Sequence, residues 1–90
     1  SIKTFRNPKT MLKLIILKHH PQTYLLGSLT ELDEEPSLLL EDCYSVTPEG
    51  DLQYYPLHTD QRFVFLTTDD VMTILDPSDT IVKAYKTRNE

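Results

Sequence analysis

Apolar and polar positions alternate in short runs along most of the chain, and only near its end does the period lengthen. Met11 to Lys18 is aliphatic and β-branched, and His19-His20-Pro21-Gln22 follows as a four-residue connection; together they predict a first strand and a hairpin. The middle of that run, Leu14-Ile15-Ile16-Leu17, is apolar on both faces, as a strand covered on its inner and outer sides would be. From Thr23, a second strand places Leu25, Gly27 and Leu29 on one face at period two, and Leu32 then falls out of phase. Burying both Leu29 and Leu32 on one side requires a bend or bulge near Thr30-Glu31. Gly27, inside this strand, predicts the close approach of another backbone.

Asp33-Glu34-Glu35-Pro36-Ser37 reads as a tight turn, with Asp33 ordering it by accepting backbone N–H bonds. Leu38 to Val46 is a third strand, and Thr47 to Asp60 is a long polar connection. Gln61 to Thr67 and Val71 to Leu75 are fourth and fifth strands around the turn Thr68-Asp69-Asp70. After that, Ile81, Ala84 and Tyr85 recur at spacings of three and four. Asp76 offers an N-cap, Pro77 a first helical residue and Asp79 an acid in the first turn, with Lys83, Lys86 and Arg88 toward the end. A short C-terminal helix over about residues 77–87 is predicted; a sixth strand over 79–86 is the alternative, since Ile81-Val82 could begin one. The whole is a mainly β, single domain spanning residues 1–90, with a barrel core over about 11–75.

Charge changes the picture more than composition does. The net charge of −5 hides five bases and no acid in residues 1–20, against nine acids and no base in residues 31–60. That acidity opposes a non-specific grip on nucleic acid, which depends on neutralising phosphates. The longest apolar run is too short to span a bilayer, and the basic N-terminus leads straight into strand-like sequence, so a soluble cytoplasmic protein without signal peptide or membrane contact is expected. Cys43 is the single cysteine, which excludes an internal disulfide and a cysteine-based zinc site and suits a small apolar filler.

Catalytic and metal chemistry lack their residue patterns. His19 and His20 adjoin, so in a strand they point to opposite faces and cannot share a metal. Asp69-Asp70 and Glu34-Glu35 lack the ligand count of a calcium loop. No serine, threonine or histidine is spaced as a nucleophile with its base, and no phosphate-cradling glycine loop is present. The expectation is a protein that is not an enzyme and needs no metal or cofactor. Tyr54 and Tyr55 either pack the long loop onto the barrel or serve as contact residues.

Leu17-Lys18, a turn, then Leu26-Gly27-Ser28-Leu29, Leu32-Asp33 and Leu38-Leu39-Leu40-Glu41-Asp42 resembles the first motif of Sm and LSm proteins, without gaps from Leu26 through Asp42. The last two strands fall where that family's second motif belongs. The chain departs from the pattern at Pro36 and Ser37, where the family has an apolar residue and asparagine, and at Thr67-Thr68, where it has arginine and glycine. The resemblance implies a strongly bent, five-stranded antiparallel barrel of the Sm-like (SH3-type) kind with a short C-terminal helix. It also implies joining of subunits edge to edge into rings of about six or seven copies.

On that resemblance, single-stranded RNA would meet the inner loops at Asp33, Ser37, Thr67, Thr68 and Asp69, with Lys3, Arg6 and Lys9 attracting phosphates. Thr67 supplies no cation for a base or a phosphate, however. The subunit edge would include Phe63, Phe65, Val71 and Thr73; independently of any family, Phe63-Val64-Phe65-Leu66 is an apolar strand with little charge to protect its edge. Two functions follow as expectations: a non-enzymatic, ring-forming domain with an altered RNA pocket, or a structural or protein-interaction module that keeps the barrel and no longer binds RNA.

Overall fold

The computed structural model describes residues 12–89. The start of the first predicted strand at Met11 and the basic Lys3, Arg6 and Lys9 lie outside the described residues. Six strands form one antiparallel sheet: β1 (Leu12–Leu17), β2 (His20–Glu31), β3 (Leu38–Val46), β4 (Leu52–Tyr54), β5 (Phe63–Leu66) and β6 (Val71–Leu75). A helix, α1 (Asp79–Arg88), follows them. The strands run β4-β3-β2-β1-β6, and β3 is long enough to take two partners on one flank. Its first half pairs β5, from Leu38↔Leu66 to Glu41↔Phe63, and its second half pairs β4, from Tyr44↔Tyr54 to Val46↔Leu52.

Connectivity forces the sheet to curl. β5 and β6 sit at opposite ends of the path, four strand spacings apart, which is roughly 19 Å in a flat sheet. They are joined only by Thr67 and a 3-10 turn, Thr68–Asp70, which rises about 2 Å per residue. The strand ends can meet this connection only if the sheet wraps round. Among the described residues it does not close, because there β5 pairs only β3 and β6 pairs only β1. The expected five-stranded barrel is therefore a curled six-stranded sheet whose two outer edges have no partner strand among the described residues. The extra strand, β4, lies in the stretch expected to be a polar connection, where the overhanging half of β3 gives three residues a partner.

The curl is helped by a bulge, though not at Thr30-Glu31, where β2 stays in register with Leu39 and Leu38. Leu26 pairs Tyr44 and Ser28 pairs Glu41, so Gly27 alone faces the two residues Asp42 and Cys43. Asp42 takes a left-handed φ of 52°, a conformation that aspartate tolerates better than most residues. The inserted residue changes the alternation of β3, so that Leu40 and Cys43, three apart, both turn inward. A β-carbon on Gly27 would lie 2.7 Å from the Glu41 carbonyl oxygen, which bears out the close approach expected there. Leu32 is not needed in the core; it lies past β2 and is 37% exposed. The first hairpin is likewise tighter than expected: β2 begins at His20, and a register shift between Ile16 and Leu17 takes up the residues around Pro21.

Both faces of the sheet are covered, as the doubly apolar first strand requires. Inside the curl, Ile15, Leu25, Leu40 and Cys43 are fully buried, with Leu17, Leu29, Tyr55, Val64, Leu66 and Val71 packed round them. On the outer face, Leu12 and Leu26 meet Val82 of α1, flanked by Leu14, Val46, Leu52, Ile81 and Tyr85. The helix, rather than a sixth strand over 79–86, forms because its apolar residues fall on this one stripe. Its N-cap is Ser78, whose Oγ accepts from Ile81 N at 3.3 Å, two residues later than the expected Asp76. Asp76 instead ends β6 in an ion pair with Lys13, Nζ to Oδ1 2.6 Å.

Candidate functional site

The two loops expected to contact RNA are brought together. Glu35 joins them: one carboxylate oxygen accepts from Ser37 N at 3.0 Å and the other from the Thr68 hydroxyl at 3.0 Å. Glu35 thus does the ordering expected of Asp33. Thr67 Oγ1 donates to Asp70 Oδ2 at 3.0 Å, and Asp70 O accepts from Lys18 N at 2.8 Å. The Ser37 hydroxyl is buried and has no hydrogen-bond partner among the described residues, while Asp33, Thr68 and Asp69 are exposed. Residues 32–37 and 67–70 carry Asp33, Glu34, Glu35, Asp69 and Asp70 and no Lys or Arg. A surface of that sign repels a phosphate backbone.

The edges present a different chemistry. Phe63 and Phe65 stand on the same side of β5, edge to face with ring centroids 5.7 Å apart, and both are exposed, Phe65 by 50%. On β6, Val71 packs into the inner core and Thr73 lies half-buried opposite Ile16. Met72, Ile74 and Leu75 are the exposed residues there, Met72 by 51%. The alternation of β6 holds from Val71 to Ile74, and the expected edge residues Val71 and Thr73 lie on its more buried face, so Met72 and Ile74 take the exposed one. Neither outer edge carries a lysine, glutamate or proline within its strand.

A third feature lies where the end of α1, the β3–β4 pair and the loop before β5 meet. Tyr44 and Tyr54, cross-strand partners, stack with centroids 5.6 Å apart, and Tyr85 of α1 meets Tyr44 edge-on at 5.7 Å. Two guanidinium groups lie against both rings of the stack: Arg62 at 5.5 and 4.5 Å from the Tyr44 and Tyr54 centroids, Arg88 at 5.2 and 4.8 Å. Arg62 Nη2 donates to the Cys43 carbonyl, and Arg88 Nη1 to the Leu52 carbonyl at 2.9 Å. The Tyr44 hydroxyl donates to Asn89 Oδ1 at 3.0 Å, and the Tyr85 hydroxyl to the Asp42 carbonyl at 2.9 Å. Burial pushes both phenols above their ordinary value; for Tyr85, nearby Asp42 adds to it. Tyr44, Tyr54, Arg62 and Arg88 border a cavity of about 640 Å³ whose rim includes the exposed Leu57. Of the two loop tyrosines, Tyr55 packs on the inner core and Tyr54 faces this cavity. The arginines gave no sequence signal, because α1 and the loop meet only in the fold.

Among the described residues no group of three or more His, Cys, Asp or Glu side chains could hold a metal ion, and no helix is long and apolar enough to cross a membrane. A comparison with curated proteins finds no match. Residues 10–90 match the model of a family of unknown function (DUF6561). This match replaces the resemblance to Sm and LSm proteins: the leucine, glycine and acid spacings that carried it arise from a curled strand, a bulge and a turn, which are not particular to one family. The chain belongs to the family of unknown function DUF6561.

Proposed function

We propose that this domain is a non-enzymatic assembly module, whose copies join edge to edge through β5 of one and β6 of the next. The observation that carries the reading is the pair of apolar, uncharged edges, unpaired among the described residues, at the two ends of one open sheet. An unpaired edge of this kind leaves backbone N–H and C=O groups ready for another strand, and natural proteins ordinarily guard it with charge, proline or a covering element. A second copy is the occupant because each copy brings both halves of the contact. Such a head-to-tail contact generates a ring if the rotation closes. Pairing would cover Phe63 and Phe65 together with Met72 and Ile74.

Light scattering of the purified chain is expected to give a multiple of 10.5 kDa. Phe65→Glu, on an exposed site, is expected to give a monomer with an unchanged circular dichroism spectrum. A monomeric wild type, or an assembled and folded Phe65→Glu variant, overturns the reading.

A further inference from the structure

The cavity beside the tyrosine stack has the makings of a ligand site that self-assembly does not use. Each guanidinium has five N–H donors in a rigid plane, and Arg62 and Arg88 each spend one on a backbone carbonyl. Among the described residues neither is ion-paired with a carboxylate. Contact with the tyrosine rings and the bonds to the Cys43 and Leu52 carbonyls restrain both guanidinium groups, so less side-chain freedom remains to be lost when a ligand binds. Forked donors held in this way suit the two oxygens of a carboxylate. The lining next to them is mixed, and its apolar part is Tyr54, Pro56 and Leu57, with Tyr54 54% and Leu57 68% exposed; the volume lies in the range of small-molecule sites.

Asp42 and Asp60 also line the cavity, so two formal positive charges face two negative ones. That balance removes the long-range field a dianion would need and leaves short-range, paired hydrogen bonding as the source of affinity. A singly charged group is favoured over a phosphate. We infer that Arg62 and Arg88 hold the carboxylate of a small organic acid whose apolar body lies against Tyr54 and Leu57.

Isothermal titration of the full chain tests this with four probes. 3-Phenylpropanoate has both parts, 3-phenylpropanamide lacks the charge, acetate lacks the body, and phenyl phosphate is a dianion. The phenylpropanoate is expected to bind at least about tenfold more tightly than each of the others, and Arg62→Lys and Arg88→Lys are each expected to weaken it by about tenfold, since lysine keeps the charge and loses the fork. Both variants are first checked for a wild-type amide spectrum. In the wild type the side-chain Nε–H signals of Arg62 and Arg88 are expected to move on titration. The Phe65→Glu variant is expected to bind as the wild type does, which separates this site from the edges. Equal binding of the amide, tighter binding of phenyl phosphate, no loss in folded lysine variants, or no binding at all overturns the inference.

Discussion

A methyl group on Gly27 has nowhere to go. Its β-carbon would meet the Glu41 carbonyl oxygen at 2.7 Å and Leu40 side-chain carbons at 3.0 and 3.1 Å, with backbone on one side and a fully buried leucine on the other. Gly27→Ala is expected to cost about 1–3 kcal/mol, as overpacked cores do, measured as a fall in the urea midpoint at constant slope. That glycine could be read from sequence as a place of close approach, but not the bulge opposite it, since nothing local marks Asp42 as the inserted residue. Its neighbour Cys43 makes a second prediction. Burial pushes the thiol from 9.0 to about 12, against a smaller opposing effect of the Arg62 charge. The folded state therefore keeps a proton that the unfolded chain gives up. The stabilisation is complete below the unfolded value and is lost as pH rises from about 9 toward 12, by up to about 1.4 kcal/mol per pH unit. Urea midpoints at pH 8 and 10 are expected to fall accordingly, and to fall less in Cys43→Ala.

At the scale of elements, α1 converts the outer face of the sheet from exposed to buried. Leu12 and Leu26 are covered by Val82, and the helix is fastened at both ends, by the Ser78 cap and by Arg88 on the Leu52 carbonyl. Ser78→Ala is expected to cost about 1 kcal/mol, and Leu26→Ala about 2–5 kcal/mol, both read from denaturant melts. The helix was legible in the spacing of Ile81, Ala84 and Tyr85, although Ile81-Val82 left a strand open as the alternative until the packing against Leu12 and Leu26 decided it. Its starting residue was not, because Asp76 and Ser78 are both good caps. The choice between them rests on Lys13, which is 63 positions from Asp76 in sequence and 2.6 Å away in space. β4 was hidden for a related reason: three residues with Gln53 between Leu52 and Tyr54 show no alternation worth the name, and only the length of β3 gives them a place.

For the whole molecule, the important property is that the sheet ends in two unlike edges. The proposed assembly joins these unlike edges head to tail, and this can be tested by complementation. Phe65→Glu spoils the β5 edge and leaves β6 usable, whereas Met72→Glu does the reverse. Each variant alone is expected to be monomeric, and an equimolar mixture is expected to form a one-to-one dimer of twice the 10.5 kDa chain mass and nothing larger. Two variants that stay monomeric when mixed, while folded, would refute this geometry. The edge at β5 is legible in the sequence through Phe63 and Phe65, whereas in β6 strict alternation leaves two candidate faces, Val71/Thr73 and Met72/Ile74, and only the fold shows which is exposed.

The 3-10 turn that bridges the two flanks has one more consequence. Thr67 Oγ1 is tied to Asp70 Oδ2, Asp70 N to Thr67 O, and Asp70 O to Lys18 N, so this short strap is braced in three places. It acts as the calliper of the molecule, holding the angular gap between its two margins. If copies assemble as proposed, lengthening it by one residue is expected to widen that angle without touching either margin, and to change the number of copies in any closed circuit.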